Sequence, residues 1–244
     1  MTKREKVPAC VVQTHVNLAP LFRDFGTWCN LQSARLLATE LWQIYSVAAP
    51  HTVLSFARLR GLYKGLEEIT RREIPGDVVE CGIASGGSLL FMGVLMKRLC
   101  ATRALWGFDT FEGLPAPTVN DPDYEVAKRF TGKYRGDRDG VRLLLNAHNV
   151  ETHLVQGLFQ KTLPNCPVER IAFLHIDGDW YDSVKTCLDF LYDKLSPGGI
   201  IQFDDYGHWA GSRKAVDEFF ERRRVNPKLL YLDYTGRQFR TPLS

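Results

Sequence analysis

From Pro75 onward, short apolar runs alternate with segments of helical periodicity, and no other feature constrains the chain as strongly. Such an alternation predicts βαβ units around a parallel sheet. Strands are expected at Asp77–Cys81, 104–108, His153–Gln156, Ile171–Ile176 and 199–203, with helices over 88–99, 184–195 and 214–223. Two further runs, 229–232 and 238–240, flank Tyr-Thr-Gly and predict a closing antiparallel hairpin. Upstream, residues from about Val16 to Arg72 read as helices. Leu36, Leu37, Leu41 and Ile44 recur at helical spacing, as do Leu54, Ala57, Leu62 and Leu66, with a break at Ala49-Pro50-His51. The expected organisation is a helical extension over residues 1–74, acting as a lid or an oligomer interface, and an α/β domain over 75–244.

Charge and cysteine usage exclude several classes of function. With 31 basic and 28 acidic residues the formal net charge is +3, too even a balance for a nucleic-acid binder. The run Glu221-Arg222-Arg223-Arg224 is the densest basic patch and reads as a solvated helix end. Cys10, Cys29, Cys81, Cys100, Cys166 and Cys187 are scattered with no CxxC pair, so a zinc site is not expected. The basic start Met-Thr-Lys-Arg-Glu-Lys is followed by no uninterrupted apolar run, and the stretch from Ile83 to Leu95 is too short to cross a bilayer. A cytoplasmic chain with reduced thiols and no membrane association is the expectation.

Residues 112–140 interrupt the alternation with Glu-Gly-Leu-Pro-Ala-Pro, Asp-Pro-Asp-Tyr and Gly-Lys-Tyr-Arg-Gly-Asp-Arg-Asp-Gly. A connection this long in a compact domain is usually functional, and it is read here as a cover over the active site.

The first strand runs into a glycine-rich turn, Val78-Val79-Glu80-Cys81-Gly82-Ile83-Ala84-Ser85-Gly86-Gly87-Ser88. Glycines there permit positive φ and close approach to a ligand, and the helix beyond presents free N–H groups. The spacing is not the GxGxxG of a dinucleotide site. Glu80 at the strand end repels pyrophosphate but suits a cation such as the sulfonium and ammonium of S-adenosylmethionine. The alternative is a structural turn with no ligand. Asp109, at the end of the second strand, is placed to accept from ribose hydroxyls, which NAD and S-adenosylmethionine both carry.

The fourth and fifth strands end in Asp177-Gly178-Asp179 and Asp204-Asp205. In a parallel sheet these ends lie side by side at the carboxyl edge, where ligands bind. Four clustered carboxylates repel unless protonated or neutralised by a hard cation such as Mg²⁺ or Mn²⁺. A metal on Asp177, Asp204 and Asp205 is expected, against the alternative that acids such as Asp179 and Asp182 cap a helix. His175 is expected to point away from the pocket relative to Asp177. His208 is a candidate substrate contact.

Together these motifs resemble the macrocin-type O-methyltransferases, which methylate deoxysugar hydroxyls on macrolides and related natural products. The matching stretches are Val79-Glu80-Cys81-Gly82 with Gly86-Gly87, Phe108-Asp109-Thr110-Phe111-Glu112-Gly113-Leu114-Pro115, Gly157-Leu158-Phe159 with Thr162-Leu163-Pro164, Asp177-Gly178-Asp179, Leu195-Ser196-Pro197-Gly198-Gly199 and Asp204-Asp205-Tyr206. The resemblance runs from about Pro75 to the C-terminus and departs at Ile83-Ala84-Ser85 and Gly207-His208-Trp209. It implies a Rossmann-like class I methyltransferase fold with a mostly parallel seven-stranded sheet, S-adenosylmethionine and Mg²⁺ (or Mn²⁺) as cofactors, and a homodimer or higher homo-oligomer. Cofactor contacts are expected at Glu80, Gly82, Ser85, Gly86, Gly87, Ser88, Asp109, Gly157, Leu158, Phe159 and Asp177, with Asp177, Asp204 and Asp205 as metal ligands and Asp109 on the ribose.

The reaction so implied is transfer of a methyl group to a sugar hydroxyl of a small natural product, as in antibiotic biosynthesis. Asp179 is the candidate base and Asp177 the alternative. Trp180, Tyr181, Tyr206 and Trp209 are candidates to stack on the acceptor. A catechol-like phenol is the runner-up acceptor. Two other classes are a DxD metal-dependent glycosyltransferase, which leaves Glu80 and Asp204-Asp205 unexplained, and a non-catalytic scaffold, whose signature would be missing acids.

Overall fold

The computed structural model describes residues 40–243. The expectations for Val16, Leu36, Leu37, Cys10 and Cys29 lie outside the described residues. Helix α1 spans Glu40–Ala48 and, after a short 3-10 turn, α2 spans Phe56–Arg71. The core then follows as β1 (Asp77–Cys81), α3 (Gly87–Arg98), β2 (Leu105–Asp109), α4 (Tyr124–Ala127), α5 (Arg138–Ala147), β3 (His153–Gln156), α6 (Phe159–Thr162), β4 (Ile171–Ile176), α7 (Tyr181–Leu191), β5 (Leu195–Phe203), α8 (Ala210–Arg222), β6 (Leu230–Tyr231) and β7 (Arg237–Arg240).

The strands form one seven-stranded sheet in the order β3-β2-β1-β4-β5-β7-β6, parallel except for β7, which pairs antiparallel with β5 and β6. The expected strands and hairpin are all present. The helix α5 inside the 112–140 connection and its continuation was not expected. Its composition suggests a loop, but Asp137 caps it by accepting from the Gly140 N–H at 3.0 Å, and Val141 and Leu145 are buried.

Both faces of the sheet are covered, as a parallel sheet requires. Val78, Phe173 and Ile200 face one apolar cluster with α1, α2, α3 and α5, while Val79, Leu174, Ile201 and Phe203 face a second with α7 and α8. The division at residue 74/75 therefore falls inside a single apolar cluster: Leu59, Leu62, Leu66 and Ile69 of α2 pack with Val78 and Phe173.

Helix α2 approaches the sheet closely because Gly61 and Gly65 lie one turn apart on its inner face. A Cβ at Gly61 would come within 2.7 Å of the Gln202 side-chain oxygen, and one at Gly65 would overlap the Phe173 ring. Under this helix runs an unusual polar row. Glu80, His175, Gln202 and Gln238 are register partners across β1, β4, β5 and β7. Gln202 donates to the Arg58 carbonyl at 3.2 Å and Gln238 to that of Gly61 at 3.2 Å. No helix among the described residues is long and apolar enough to cross a membrane. Arg222 and Arg223 of the basic run pair with Asp189 and Asp193 of the neighbouring helix region. Among the described residues the cysteines are free thiols, with Cys81, Cys166 and Cys187 buried and Cys100 exposed.

Candidate active site

The strand ends continue hydrogen bonding past their formal limits, which fixes the acids on one rim. Gly82 N–H donates to the Phe108 carbonyl, Asp177 N–H to Cys81 at 2.8 Å, and Asp204 N–H to Ile176 at 2.9 Å. Gly82 has φ +91, and a Cβ there would overlap the Asp177 carbonyl oxygen, so the first turn and the β4 rim meet only through glycine.

Above this rim is a cavity of about 300 Å³. Its floor is Gly82, Ala84, Asp109, Asp177, Asp179, Asp204 and Asp205, and its walls include Leu114, Phe130, Leu158, Phe159, His208 and Trp209. This is the carboxyl edge, where open α/β sheets bind ligands.

Four acids meet as expected, but their partition differs from the expected ligand set. One carboxylate oxygen each from Asp177, Asp179 and Asp205 lies within 4.8 Å of the others. Asp204 lines the same cavity, but its Oδ2 is paired with Arg58, and its Oδ1 is 3.6 Å from His175 Nε2. The geometric cluster thus takes Asp179 in place of Asp204. The reason is Arg58, which α2 delivers to the rim from a distant part of the sequence.

Electrostatics follow this partition. Burial, and then the neighbouring acids Asp204, Asp205 and Asp179, push the Asp177 carboxyl well above its usual range. Asp179 is pushed up in the same way by burial and by Asp205 and Asp204. Burial and Asp204 raise Asp205 to about 7. Burial also opposes ionisation of Asp204, but Arg58 and His175 outweigh it and hold that carboxyl below the usual value. Three oxygen donors that resist ionisation together are chemically suited to a hard divalent cation, which would release their protons.

The helix-capping alternative for Asp179 does not hold. Residue 179 sits at φ +54, its N–H donates to Asp205 Oδ2 at 3.1 Å, and its Oδ1 accepts from the Trp209 indole at 2.9 Å. The N-terminus of α7 is capped from the long connection, where Asp121 accepts from the Tyr181 N–H at 2.7 Å. Asp123 likewise accepts from the Ala210 N–H at the start of α8, at 3.1 Å. The cover is thus clamped to both helices beside the acids, and Trp180 adds a 2.7 Å bond to the Pro115 carbonyl. Replacing Asp121 with Ala should cost about 1–2 kcal/mol in a urea melt, the usual value of a lost cap. An unchanged midpoint would show that the clamp carries no stability.

The other expected site residues fall into two groups. Asp109, Gly82, Leu158, Phe159 and Asp177 line the cavity. Asp109 Oδ2 accepts from the N–H groups of Ile83 and Ala84 at 2.8 and 2.9 Å, which locks the glycine-rich turn against β2. Gly157, at φ +140, turns the chain just before Leu158.

Glu80, Ser85, Gly86, Gly87 and Ser88 are not on the cavity wall. Glu80, expected at the strand end beside the ligand, is fully buried and bonded to His175 Nδ1 at 2.8 Å. His175 points away from the cavity, as expected. Burial opposes its charge, but the facing carboxylates of Asp204 and Glu80 raise its pKa to about 9. Gly86 and Gly87 are needed for packing: a Cβ on either would crowd Val141 or the His51 backbone.

Of the four aromatic residues expected to stack on an acceptor, only Trp209 lines the cavity. Trp180 is buried, while Tyr181 and Tyr206 bond to Glu218 and Asp217. Phe130, Tyr134 and Thr235 line the cavity without having been singled out. Phe130 packs edge-on against Trp209 with ring centroids 5.2 Å apart. Its one available signal was its place in the long connection.

Strand order, the closing hairpin and the acid-bearing carboxyl edge define a class I methyltransferase fold. The solved O-methyltransferase NovP shares it with a TM-score of 0.74 and 28% identity, covering 79% of this chain and 82% of that one. The macrocin O-methyltransferase (TylF) family model matches residues 41–241, and the chain belongs to that family. The match takes in α2, so the family resemblance begins well before Pro75. Mycinamicin III 3''-O-methyltransferase of Micromonospora griseorubida is 31% identical over 209 residues, spanning 82% of this chain and 81% of that protein. Demethyldecarbamoylnovobiocin O-methyltransferase of Streptomyces niveus is 29% identical over 198 residues, spanning 78% and 75%. The chain is an O-methyltransferase, and the DxD glycosyltransferase and scaffold readings are set aside.

Proposed function

We propose that this enzyme transfers the methyl group of S-adenosylmethionine to a hydroxyl of a sugar carried by a small natural product, with the help of a divalent cation. The observation that carries the cation is the convergence of Asp177, Asp179 and Asp205 without a basic side chain among them. Support for a sugar acceptor comes from a relative named for 4'-O-methylation of a rhamnosyl-tetracenomycin, beside those named for methylation of mycinamicin III and demethyldecarbamoylnovobiocin. Asp109 and the Leu158–Phe159 wall supply a polar and an apolar surface suited to a nucleoside.

Asp177 and Asp205 belong both to the ligand set expected from the motifs and to the geometric cluster, and Asp179 completes the cluster. When bound there, a divalent cation acidifies the acceptor hydroxyl and orients its oxygen. Asp179 takes the hydroxyl proton as the methyl group passes to oxygen. The Trp209 bond fixes one of its oxygens beside the other acids. Phe130, Trp209 and Leu114 keep water from the methyl donor and offer a face to a pyranose ring.

Calorimetry with S-adenosylhomocysteine, then Mg²⁺ or Mn²⁺, and mass spectrometry of glycosylated acceptors test this reading. Binding of both ligands and a gain of one methyl group on the sugar are expected. No binding of S-adenosylhomocysteine would defeat it.

A further inference from the structure

Tyr134 stands at the cavity in a backbone conformation that its side chain disfavours. Its φ is +56, in the left-handed region where glycine and asparagine are at ease and a bulky residue is strained. The chain on either side imposes that conformation. Before it, the Leu114 N–H donates to the Lys133 carbonyl at 2.9 Å, and the Gly132 N–H donates to the Leu114 carbonyl at 2.8 Å. The Lys133 ammonium also lies over the Phe130 ring, 4.4 Å from its centroid. After it, Gly136 packs so tightly on the glycine-rich turn that a Cβ there would overlap the Ala84 carbonyl oxygen. Tyr134 is thus strung between the cover wall of Leu114 and Phe130 and the turn that follows β1.

No contact within the protein accounts for the strain. The residue lines the cavity yet is 51% exposed. Among the described residues its hydroxyl has no hydrogen-bond partner and its ring no aromatic partner. Burial of the remainder, and then the charges of Asp179, Asp205 and Asp177, push the phenol above its ordinary pKa, so it keeps its proton at neutral pH. The hydroxyl is therefore a neutral donor facing the rim acids. A lysine or arginine in its place would be drawn into a salt bridge with those acids, whereas a phenol donates to a ligand and leaves them free. Strain held in place by its surroundings, with a free polar group beside a reaction centre, points to a ligand contact.

We propose that Tyr134 is a specificity-determining acceptor contact: its hydroxyl donates to a sugar oxygen next to the hydroxyl being methylated, and its ring packs on the sugar. The inference rests on the sugar-acceptor reading above and is independent of the cation. A site that hydrogen-bonds a substrate oxygen rejects analogues lacking it, and the same bond fixes which hydroxyl reaches the methyl group.

The test is steady-state kinetics with S-adenosylmethionine and, as probe acceptors, mycinamicin III, demethyldecarbamoylnovobiocin and a rhamnosyl-tetracenomycin. Calorimetry of S-adenosylhomocysteine and thermal melting accompany it. Tyr134→Phe keeps the ring and loses the hydroxyl. Its kcat/KM for the acceptor should fall about tenfold, the effect of one lost hydrogen bond, mostly through a higher KM. Its binding of S-adenosylhomocysteine should stay within about twofold of wild type. Tyr134→Asn suits the left-handed backbone, so it should lose at least about tenfold in the same ratio while melting no lower than wild type. An acceptor KM and kcat within about twofold of wild type in Tyr134→Phe overturn the inference. So does an equal weakening of S-adenosylhomocysteine, which would put the phenol on the methyl donor. A Tyr134→Asn that melts below wild type overturns it too, because the ring would then be structural. Methylation of none of the probes by the wild-type enzyme would bring down the sugar reading and the inference with it. That outcome is told apart from failure of the inference alone, in which wild type and Tyr134→Phe methylate a probe equally well.

Discussion

Asp205→Asn is expected to bind Mn²⁺ at least about a hundredfold more weakly than wild type and to lose about 10³-fold in turnover, while its metal-free form melts at a higher temperature. The two effects share one cause. Asp205 is 8% exposed and surrounded by the other rim acids, and burial and Asp204 raise its pKa to about 7. An amide of the same shape removes one member of a mutually repelling set, so the folded metal-free chain gains stability. It also keeps an oxygen to accept the Asp179 N–H, now bonded to Asp205 Oδ2 at 3.1 Å, so the turn 177–179 keeps its shape. On the proposed cation reading, function suffers because the site loses a charged donor, and charge stabilisation worth several kcal/mol amounts to orders of magnitude in rate. Thermal melting with and without Mn²⁺, alongside steady-state kinetics, checks both halves. A metal-free variant less stable than wild type would show that Asp205 is structural rather than held under repulsion.

What could be read beforehand, and what could not, divides by distance along the chain. Strands such as Asp77–Cys81 and Ile171–Ile176 were legible because apolar runs bounded by turn residues report local burial. The rim acids were legible because strand ends share an edge in any parallel sheet. Their partition was not. Arg58 meets Asp204 from 146 positions away, and nothing near either residue announces the pair. Glu80 was misplaced for the same reason. A carboxylate at the end of β1 points either into the cleft or under α2, and its partner His175 lies 95 positions on. The cap on α7 was sought in Asp179 and Asp182, close by, whereas Asp121 supplies it from 60 positions upstream. The glycines of α2 also went unread, although Gly61 and Gly65 are what let that helix lie close enough to bring Arg58 to the rim.

A second large effect concerns pH. Metal-free enzyme should lose stability as the pH rises from about 5 to about 8, the reverse of the usual behaviour of paired carboxylates. The sign comes from the proton count. Asp205 has its folded pKa raised from 3.8 to about 7, and Asp177 and Asp179 are also raised. Between those values the folded chain holds protons that the unfolded chain has released, so unfolding becomes easier as the pH climbs. His175 adds to this on the alkaline side. Its pKa is raised from 6.5 to about 9, so its contribution is complete below the unfolded value and is lost as the pH passes through about 9. Asp204 acts oppositely, because its lowered pKa gives stability above the unfolded value that is lost only in acid. The site's total swing is on the order of a few kcal/mol, enough to move the melting temperature by several degrees. On the proposed cation reading Mn²⁺ or Mg²⁺ would replace those protons, so adding it at pH 8 should raise the melting temperature more than at pH 5. Surface carboxylates titrate over the same range, and comparison with Asp205→Asn isolates the site. The fall in melting temperature from pH 5 to pH 8 should be smaller in that variant than in wild type. Equal slopes would place the pH dependence elsewhere in the molecule.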